Sequence, residues 1–118
     1  MTGPAVLLFS YGTLRQGEVQ ERLFGRVVET RPDALAGFVL GEVAIADPAV
    51  VALSGRAAHP VLRPSGDPAD EVHGAVLALT EAELAAADAY EDPAYARVAV
   101  RTRAGRDAFA YVLAADLA

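Results

Sequence analysis

The middle of the chain is dense in residues that disfavour helices, and this feature limits the fold most strongly. Nine prolines and glycines stand from Arg31 to Pro68. Proline lacks the amide hydrogen that a helix needs, and glycine loses more backbone freedom than any other residue when it is ordered. The apolar pieces between them are short: Ala34–Leu40, Val43–Ala46 and Val50–Leu53. This part of the chain therefore predicts strands, turns and irregular loops.

Strand patterns also occur near both ends of the chain. Val6–Ser10 is an almost continuous apolar run, which is typical of a strand buried on both faces, so we expect it at the centre of a sheet. Near the C-terminus, alternating valines lead to the turn Arg103–Arg106, and a second apolar run, Ala108–Leu113, follows it. That pattern predicts a β-hairpin.

One helix is predicted by its ends. Thr80 and Glu83 form a capping box, in which each side chain can bond the other residue's backbone amide, so a helix should begin directly after Thr80. It should run to about Tyr90 and stop before Pro93, because the residue preceding a proline is biased away from helical angles. Glu91 is thereby placed at the C-terminal edge of the helix.

Strands outnumber helices, and most are near neighbours in sequence. Within Arg15–Gly25 the apolar spacing predicts one further short helix. This arrangement favours the α+β class with a compact sheet, for which a barrel is one form. The length of 118 residues fits a single domain, residues 1–118.

Charge and composition exclude several functions. The net charge is −6, with no lysine and ten scattered arginines, which argues against nucleic-acid and anionic-membrane partners because both require clustered cations. The absence of cysteine removes thiolate chemistry and disulfides. Residues 1–5 lack a basic signal region, and no apolar run approaches the roughly 18 residues of a membrane span. We expect a cytoplasmic protein.

Familiar cofactor sites fit poorly. Gly12–Gly17 has the glycine spacing of a P-loop, but Glu18 and Val19 stand where Lys and Ser or Thr would be needed. His59 and His73 show no metal-ligand spacing, so exposed or structural roles are expected for them. The chain also lacks the lysine that Schiff-base catalysis requires. We therefore expect neither a metal nor a cofactor.

Carboxylates remain as candidate chemistry. Asp88, Glu91 and Asp92 crowd the predicted helix end, where the helix dipole is negative. Mutual repulsion and the dipole would raise the pKa of a carboxyl group there, which suits it to give and take protons near neutral pH. A solvated acidic helix end is the alternative reading, and spacing alone does not decide between the two.

Three segments, taken together, resemble the γ-glutamylcyclotransferase-like family: Phe9-Ser-Tyr-Gly-Thr-Leu14, Glu71-Val-His-Gly-Ala-Val76 and Asp88-Ala-Tyr-Glu-Asp-Pro-Ala-Tyr-Ala-Arg-Val98. They occur in the family's order, and the resemblance extends to Tyr111. It implies a small mixed β-barrel with few peripheral helices. It also implies a pocket where the Tyr-Gly-Thr-Leu loop meets the helix that carries the glutamate.

The resemblance also implies residue roles. The family glutamate that matches Glu91 is the general acid/base. The loop holds the α-amino-acid end of a γ-glutamyl group largely through its backbone, which makes four residues binding candidates: Tyr11, Gly12, Thr13 and Leu14. Tyr95 is a further candidate. Packing is the alternative role for Tyr11 and Tyr95, and Arg97 can simply pair with nearby acids.

The implied reaction needs neither a metal nor a cofactor. The α-amine of a γ-glutamyl group attacks its own γ-carbonyl carbon, which releases 5-oxoproline and a free amine. Two alternatives remain open: a non-catalytic module that binds a γ-glutamyl or amino-acid ligand, and an amide hydrolase in which Glu91 activates water. In each case the partner is a small molecule. The leaving amine and the oligomeric state are left open.

Overall fold

The computed structural model describes residues 5–44, 58–91 and 95–117, with the backbone alone at residues 13, 42–44 and 58–60. The predicted apolar piece Val50–Leu53, part of Val43–Ala46, and Asp92 lie outside the described residues, as do the side chains of Thr13 and His59. The strands are β1 Val6–Ser10, β2 Thr30–Ala36, β3 Phe38–Ala44, β4 Ala58–Pro64, β5 Glu71–Leu79, β6 Tyr95–Arg101 and β7 Asp107–Leu113. The helices are α1 Gly17–Phe24 and α2 Glu81–Tyr90, with short 3-10 turns at Thr13–Arg15 and Ala114–Leu117.

β1 lies in the middle of the main sheet. In the described part of the chain this sheet has five strands in the order β2-β5-β1-β7-β6, and β3 and β4 form a separate antiparallel pair. β1 is antiparallel to β5 and parallel to β7. Pro32, which cannot donate to a strand ladder, lies in the edge strand β2. The predicted central position of Val6–Ser10 is confirmed.

The apolar character of β1 follows from two clusters on opposite faces of the sheet. Leu8 packs with Leu14 and with residues of α2. These residues belong to the first core cluster, whose buried members are Leu8, Leu14, Val28, Leu77, Leu79, Leu84, Ala87 and Tyr111. Its neighbour Phe9 packs with Leu62 of β4 in the second core cluster. Successive side chains of a strand point to opposite faces of the sheet, so a strand between two core clusters must present apolar side chains on both faces.

The two helices cover the first core cluster. α2 begins at the capping box: the Thr80 hydroxyl accepts from the Glu83 amide at 3.1 Å, and a Glu83 carboxylate oxygen accepts from the Thr80 amide at 2.9 Å. α1 ends at Gly25, whose φ of 75° lies in the left-handed region that favours glycine. Both predicted helices are confirmed, and the bounds predicted for α2 agree with those observed.

Asp33 ties β2 to the β6–β7 hairpin. Its side chain is 1% exposed and accepts hydrogen bonds from Arg106 Nη1 at 2.7 Å and from the amides of Ala34 at 2.8 Å and Ala104 at 3.2 Å. Burial would raise the pKa of Asp33, but these bonds and one from the Thr102 side chain lower it below its ordinary value. The folded state therefore favours the carboxylate anion.

The predicted α+β class is confirmed. The described strands form two sheets, and closure of these into a barrel stays a prediction, as does the single-domain boundary at residues 1–118. The hairpin predicted around Arg103–Arg106 is confirmed as β6–β7, in which Arg97 and Tyr111 are directly opposed.

Candidate functional site

The chain leaves β1 in a short loop whose carbonyl groups are bound by its own side chains. Arg15 Nη2 donates to the Tyr11 carbonyl at 3.0 Å, and Arg15 Nε donates to the Gly12 carbonyl at 3.2 Å. The Gly12 amide donates to Ser10 Oγ at 3.3 Å. In a planar trans peptide the amide hydrogen points opposite to the carbonyl, so the Thr13 amide points away from the Arg15 guanidinium.

Gln20 fixes the other end of this loop. Leu14 is buried in the first core cluster, and its carbonyl accepts from Gln20 Nε2 at 2.9 Å. Gln20 is itself buried, and its Oε1 accepts from the Val28 amide at 3.1 Å. Because both polar atoms of the Gln20 amide group are bonded, the side chain cannot rotate without losing these hydrogen bonds, and the loop is held in one orientation.

Tyr11 connects the loop to β4. Its ring packs against the second core cluster, and its hydroxyl oxygen accepts a hydrogen bond from the Leu62 amide at 3.1 Å. Burial raises the pKa of Tyr11, the Leu62 amide opposes this, and the negative charge of Glu91 raises it further. The phenol therefore stays protonated at neutral pH, and its bond to Leu62 uses an oxygen lone pair and leaves the O–H hydrogen to other acceptors.

Glu91 lies at the C-terminal end of α2. Its amide donates to the Ala87 carbonyl at 3.1 Å, and its backbone then turns extended, with φ −75° and ψ 151°. The residue is half-buried. Its charge raises the pKa of both Tyr11 and Tyr111, so the carboxylate is electrostatically coupled to a loop residue far away in sequence. Burial is the main cause of the raised pKa of Tyr111.

Asp88 differs from the sequence-based expectation. Repulsion between Asp88 and Glu91 was expected, but Asp88 Oδ1 accepts hydrogen bonds from the Tyr111 hydroxyl at 2.7 Å and from Arg97 Nε at 2.9 Å. The Arg97 guanidinium also stacks on the Phe109 ring, 4.6 Å from its centroid. A cation thus offsets the Asp88 charge beside Glu91. Pairing of Arg97 with a nearby acid is confirmed.

Two glycines near the loop differ in what the fold requires of them. A Cβ on Gly74 would overlap the Ser10 carbonyl oxygen and lie 2.8 Å from Phe9 Cζ, so β5 can pass the end of β1 only without a side chain there. Around Gly12 no described atom lies within 4 Å of such a Cβ, and its φ is not left-handed. Packing among the described residues therefore explains why position 74 is a glycine, but it does not explain the glycine at position 12.

The structure brings several predicted site residues to one region. Glu91 and Tyr11 are coupled, and Gly12 and Leu14 belong to the same loop as Tyr11. Tyr95 is half-buried and packs against the first core cluster, as does Leu14, so it has the packing role considered for it. The catalytic and binding roles of these residues stay predictions.

Sequence reasoning missed five contributors: Arg15, Gln20, Leu62, Gly74 and Tyr111. Gly74 carried a signal, because a glycine inside an apolar strand indicates close backbone approach. Leu62 and Tyr111 act through contacts with residues distant in sequence, Gln20 acts through a buried amide, and Arg15 acts through bonds to backbone carbonyls of its own loop; the residue pattern gives no signal for these contacts.

Two further polar pairs do not involve the loop or Glu91. His73 Nε2 contacts Glu71 at 3.1 Å, and its side chain is 82% exposed, in agreement with the exposed role expected for it. A shallow pocket lies at β3–β4, but its two charged side chains, Arg63 and Asp116, bind each other at 2.9 Å. Among the described residues no cluster of three or more His, Cys, Asp or Glu side chains could hold a metal ion, and no helix is long and apolar enough to cross a membrane.

Comparison with known proteins identifies the family. The sequence matches the family model described as gamma-glutamyl cyclotransferase, AIG2-like, over residues 8–117. The chain belongs to this family. Membership supports an enzyme acting on a small molecule. A search of curated proteins found no match.

Solved structures of low sequence identity share the family fold. The Arabidopsis thaliana protein At3g28950.1, whose structure was solved in solution, is 22% identical with a TM-score of 0.75. The matched region covers 98% of this chain and 67% of the Arabidopsis chain. For At5g39720.1 from the same organism, the identity is 23%, the TM-score 0.74 and the coverage 98% and 73%. A structure named gamma-glutamyl cyclotransferase is 18% identical with a TM-score of 0.64, covering 92% and 66%. At these identities the likeness concerns the fold.

Proposed function

We propose that this protein is a γ-glutamyl cyclotransferase in which Glu91 is the general acid/base and the Tyr11–Leu14 loop holds the substrate. The observation that carries the proposal is the family match over residues 8–117, which includes both the loop and Glu91. The negative charge of Glu91, which contributes to the raised pKa of Tyr11, supports it. The loop and Glu91 are far apart in sequence, and the fold brings them close enough for the charge of Glu91 to influence the Tyr11 phenol. A solvated acidic helix end would not require this coupling to a half-buried phenol.

The reaction moves two protons between nitrogens and closes one ring. Glu91 takes a proton from the substrate ammonium group, and the freed α-amine attacks the γ-carbonyl carbon. A new C–N bond closes the five-membered ring of 5-oxoproline, and the bond from the same carbon to the departing nitrogen breaks. The attacking nitrogen also loses a second proton to become the lactam N–H, and that proton passes to the departing amine, which leaves as an ammonium ion. Glu91 returns its own proton to the departing nitrogen, so the protein ends each cycle in its starting protonation state.

The loop is suited to hold the charged end of the substrate. Arg15 binds two loop carbonyls and brings a positive charge beside them, which favours the substrate's α-carboxylate. The Thr13 amide points away from that guanidinium and can donate to the substrate or to the developing oxyanion. At Gly12 the space left by described atoms lets a substrate approach the backbone.

Product analysis over a substrate panel tests the proposal. The purified protein is incubated with γ-glutamyl amino acids, peptides, amines and Nε-(γ-glutamyl)lysine, and products are identified by mass spectrometry. Release of 5-oxoproline with an equal amount of free amine is the expected result. Release of glutamate would indicate the amide hydrolase instead, and binding without turnover of any panel member would indicate the non-catalytic module.

A further inference from the structure

The end of α2 is joined to the sheet by a polar network around Asp88. One carboxylate oxygen, Oδ1, accepts from the Tyr111 hydroxyl at 2.7 Å and from Arg97 Nε at 2.9 Å. Both hydrogen bonds have a carboxylate as the acceptor, and one has a cation as the donor. Hydrogen bonds that involve a charged group are shorter and stronger than those between neutral groups. The network therefore links α2 to two strands at once.

The sheet side of this network is rigid. Arg97 and Tyr111 are directly opposed in the β6–β7 ladder, so the two donors are held side by side by backbone hydrogen bonds. Tyr111 is only 6% exposed and belongs to the first core cluster. The Arg97 guanidinium is stacked on Phe109, which limits its rotation. Both donors are thus preorganised before Asp88 binds them.

The last turn of α2 is held in place more by polar contacts than by burial. The buried residues of α2 are Leu84 and Ala87, and the three residues that follow Ala87 are exposed. Apolar packing therefore holds the middle of the helix, and the Asp88 bonds act on its last turn. Glu91 follows that turn directly, with its amide bonded to the Ala87 carbonyl. Any fraying of this turn would move Glu91.

We propose that Tyr111 and Arg97, acting through Asp88, are positioning residues that hold Glu91 toward the Tyr11–Leu14 loop. This inference rests on the proposed function of Glu91. The network supplies no proton to the substrate; it fixes the distance and direction from which Glu91 works. Since small displacements of a catalytic group are costly, loss of the network lowers kcat more than it weakens substrate binding.

Steady-state kinetics of Tyr111→Phe provide the first test. This change removes one hydroxyl and keeps the ring in the core, so the fold should persist. We expect kcat to fall about tenfold while KM changes less than about twofold. Arg97→Gln should act in the same direction, and Arg97→Lys should recover part of the loss because an ammonium can donate one of the bonds.

Arg101→Gln is the matched control. Arg101 lies four residues along β6 from Arg97, at the far end of the strand, and its guanidinium reaches the Gly105 carbonyl at 3.5 Å. The same charge is removed from the same strand, so kcat should stay at the wild-type value. Wild-type kcat in Tyr111→Phe, or an equal loss in Arg101→Gln, would overturn the inference.

Amide hydrogen exchange gives a second test that does not depend on activity. In Tyr111→Phe, exchange at the Glu91 amide should quicken about tenfold relative to the Leu84 amide, which bonds the Thr80 carbonyl at the start of α2. Equal acceleration at both amides would mean general destabilisation and would contradict a positioning role. If wild-type protein releases no 5-oxoproline, the proposed function fails, and exchange still decides whether the network holds the helix end.

Discussion

Replacing each of two glycines near the loop by alanine should separate a requirement of the fold from a requirement of the site. In Gly74→Ala the new Cβ would overlap the Ser10 carbonyl oxygen and crowd the Phe9 ring. One contact is with backbone, so β1 and β5 must move apart. Overpacking of this kind costs about 1 to 3 kcal/mol of unfolding free energy. For a domain of this size the melting temperature should fall by about 4 to 12 °C.

Gly12→Ala should behave in the opposite way. No described atom lies within 4 Å of the new methyl group, and the φ of Gly12 is open to alanine. Stability should therefore change by less than about 1 kcal/mol, because a Gly to Ala change at a compatible position mainly restricts the unfolded chain. If the loop backbone contacts substrate, the methyl group occupies that space and kcat/KM should fall about 100-fold.

Urea unfolding followed by circular dichroism measures the unfolding free energy of both variants. The rate of 5-oxoproline release measures their kcat/KM. A wild-type urea midpoint in Gly74→Ala would refute the close approach of β5 to the end of β1. The reasoning about the loop is refuted if Gly12→Ala keeps full kcat/KM. Each variant is the other's control, since both add a single methyl group near the same end of β1.

Two further predictions concern Asp33 and Arg15. The lowered pKa of Asp33 means that its contribution to stability is present above the unfolded pKa of about 3.9 and is lost as the pH falls through the folded value. Asp33→Asn should therefore cost about 3 kcal/mol of unfolding free energy at pH 7 and less than that at pH 3 in urea titrations, whereas an equal cost at both pH values would contradict this assignment. Arg15→Gln should lower kcat/KM about tenfold and leave the unfolding free energy unchanged within about 0.5 kcal/mol. As a control, Arg22→Gln on the exposed part of α1 should change neither quantity. Equal activity of the two variants would argue against a role for Arg15.

The elements that the sequence predicted well are those with local signals. The capping box at Thr80 predicted the start of α2 and the proline in the sequence after it predicted the end, because such signals concern the backbone within a few residues. The apolar run of β1 indicated a central strand for the same reason. Family motifs then pointed to Glu91 and the loop.

Most of the contacts that escaped sequence reasoning are non-local. The parallel pairing of β1 with β7 and the bond from the Leu62 amide to Tyr11 join positions whose local sequence holds no trace of the partner. Asp88 is the clearest case: its spacing from Glu91 suggested repulsion, and only the fold brings Arg97 and Tyr111 to it. Helical spacing identifies neighbours on one helix but not groups supplied by other strands.

The most direct test of the central claim compares Glu91→Gln with Glu81→Gln in single-turnover release of 5-oxoproline from the best γ-glutamyl substrate. Both changes replace a carboxylate by an amide of the same shape, one at each end of α2. If Glu91 carries the proton, its variant should lose at least about 100-fold in rate with an unchanged unfolding midpoint, while Glu81→Gln keeps the wild-type rate. Wild-type rates in Glu91→Gln would contradict the account.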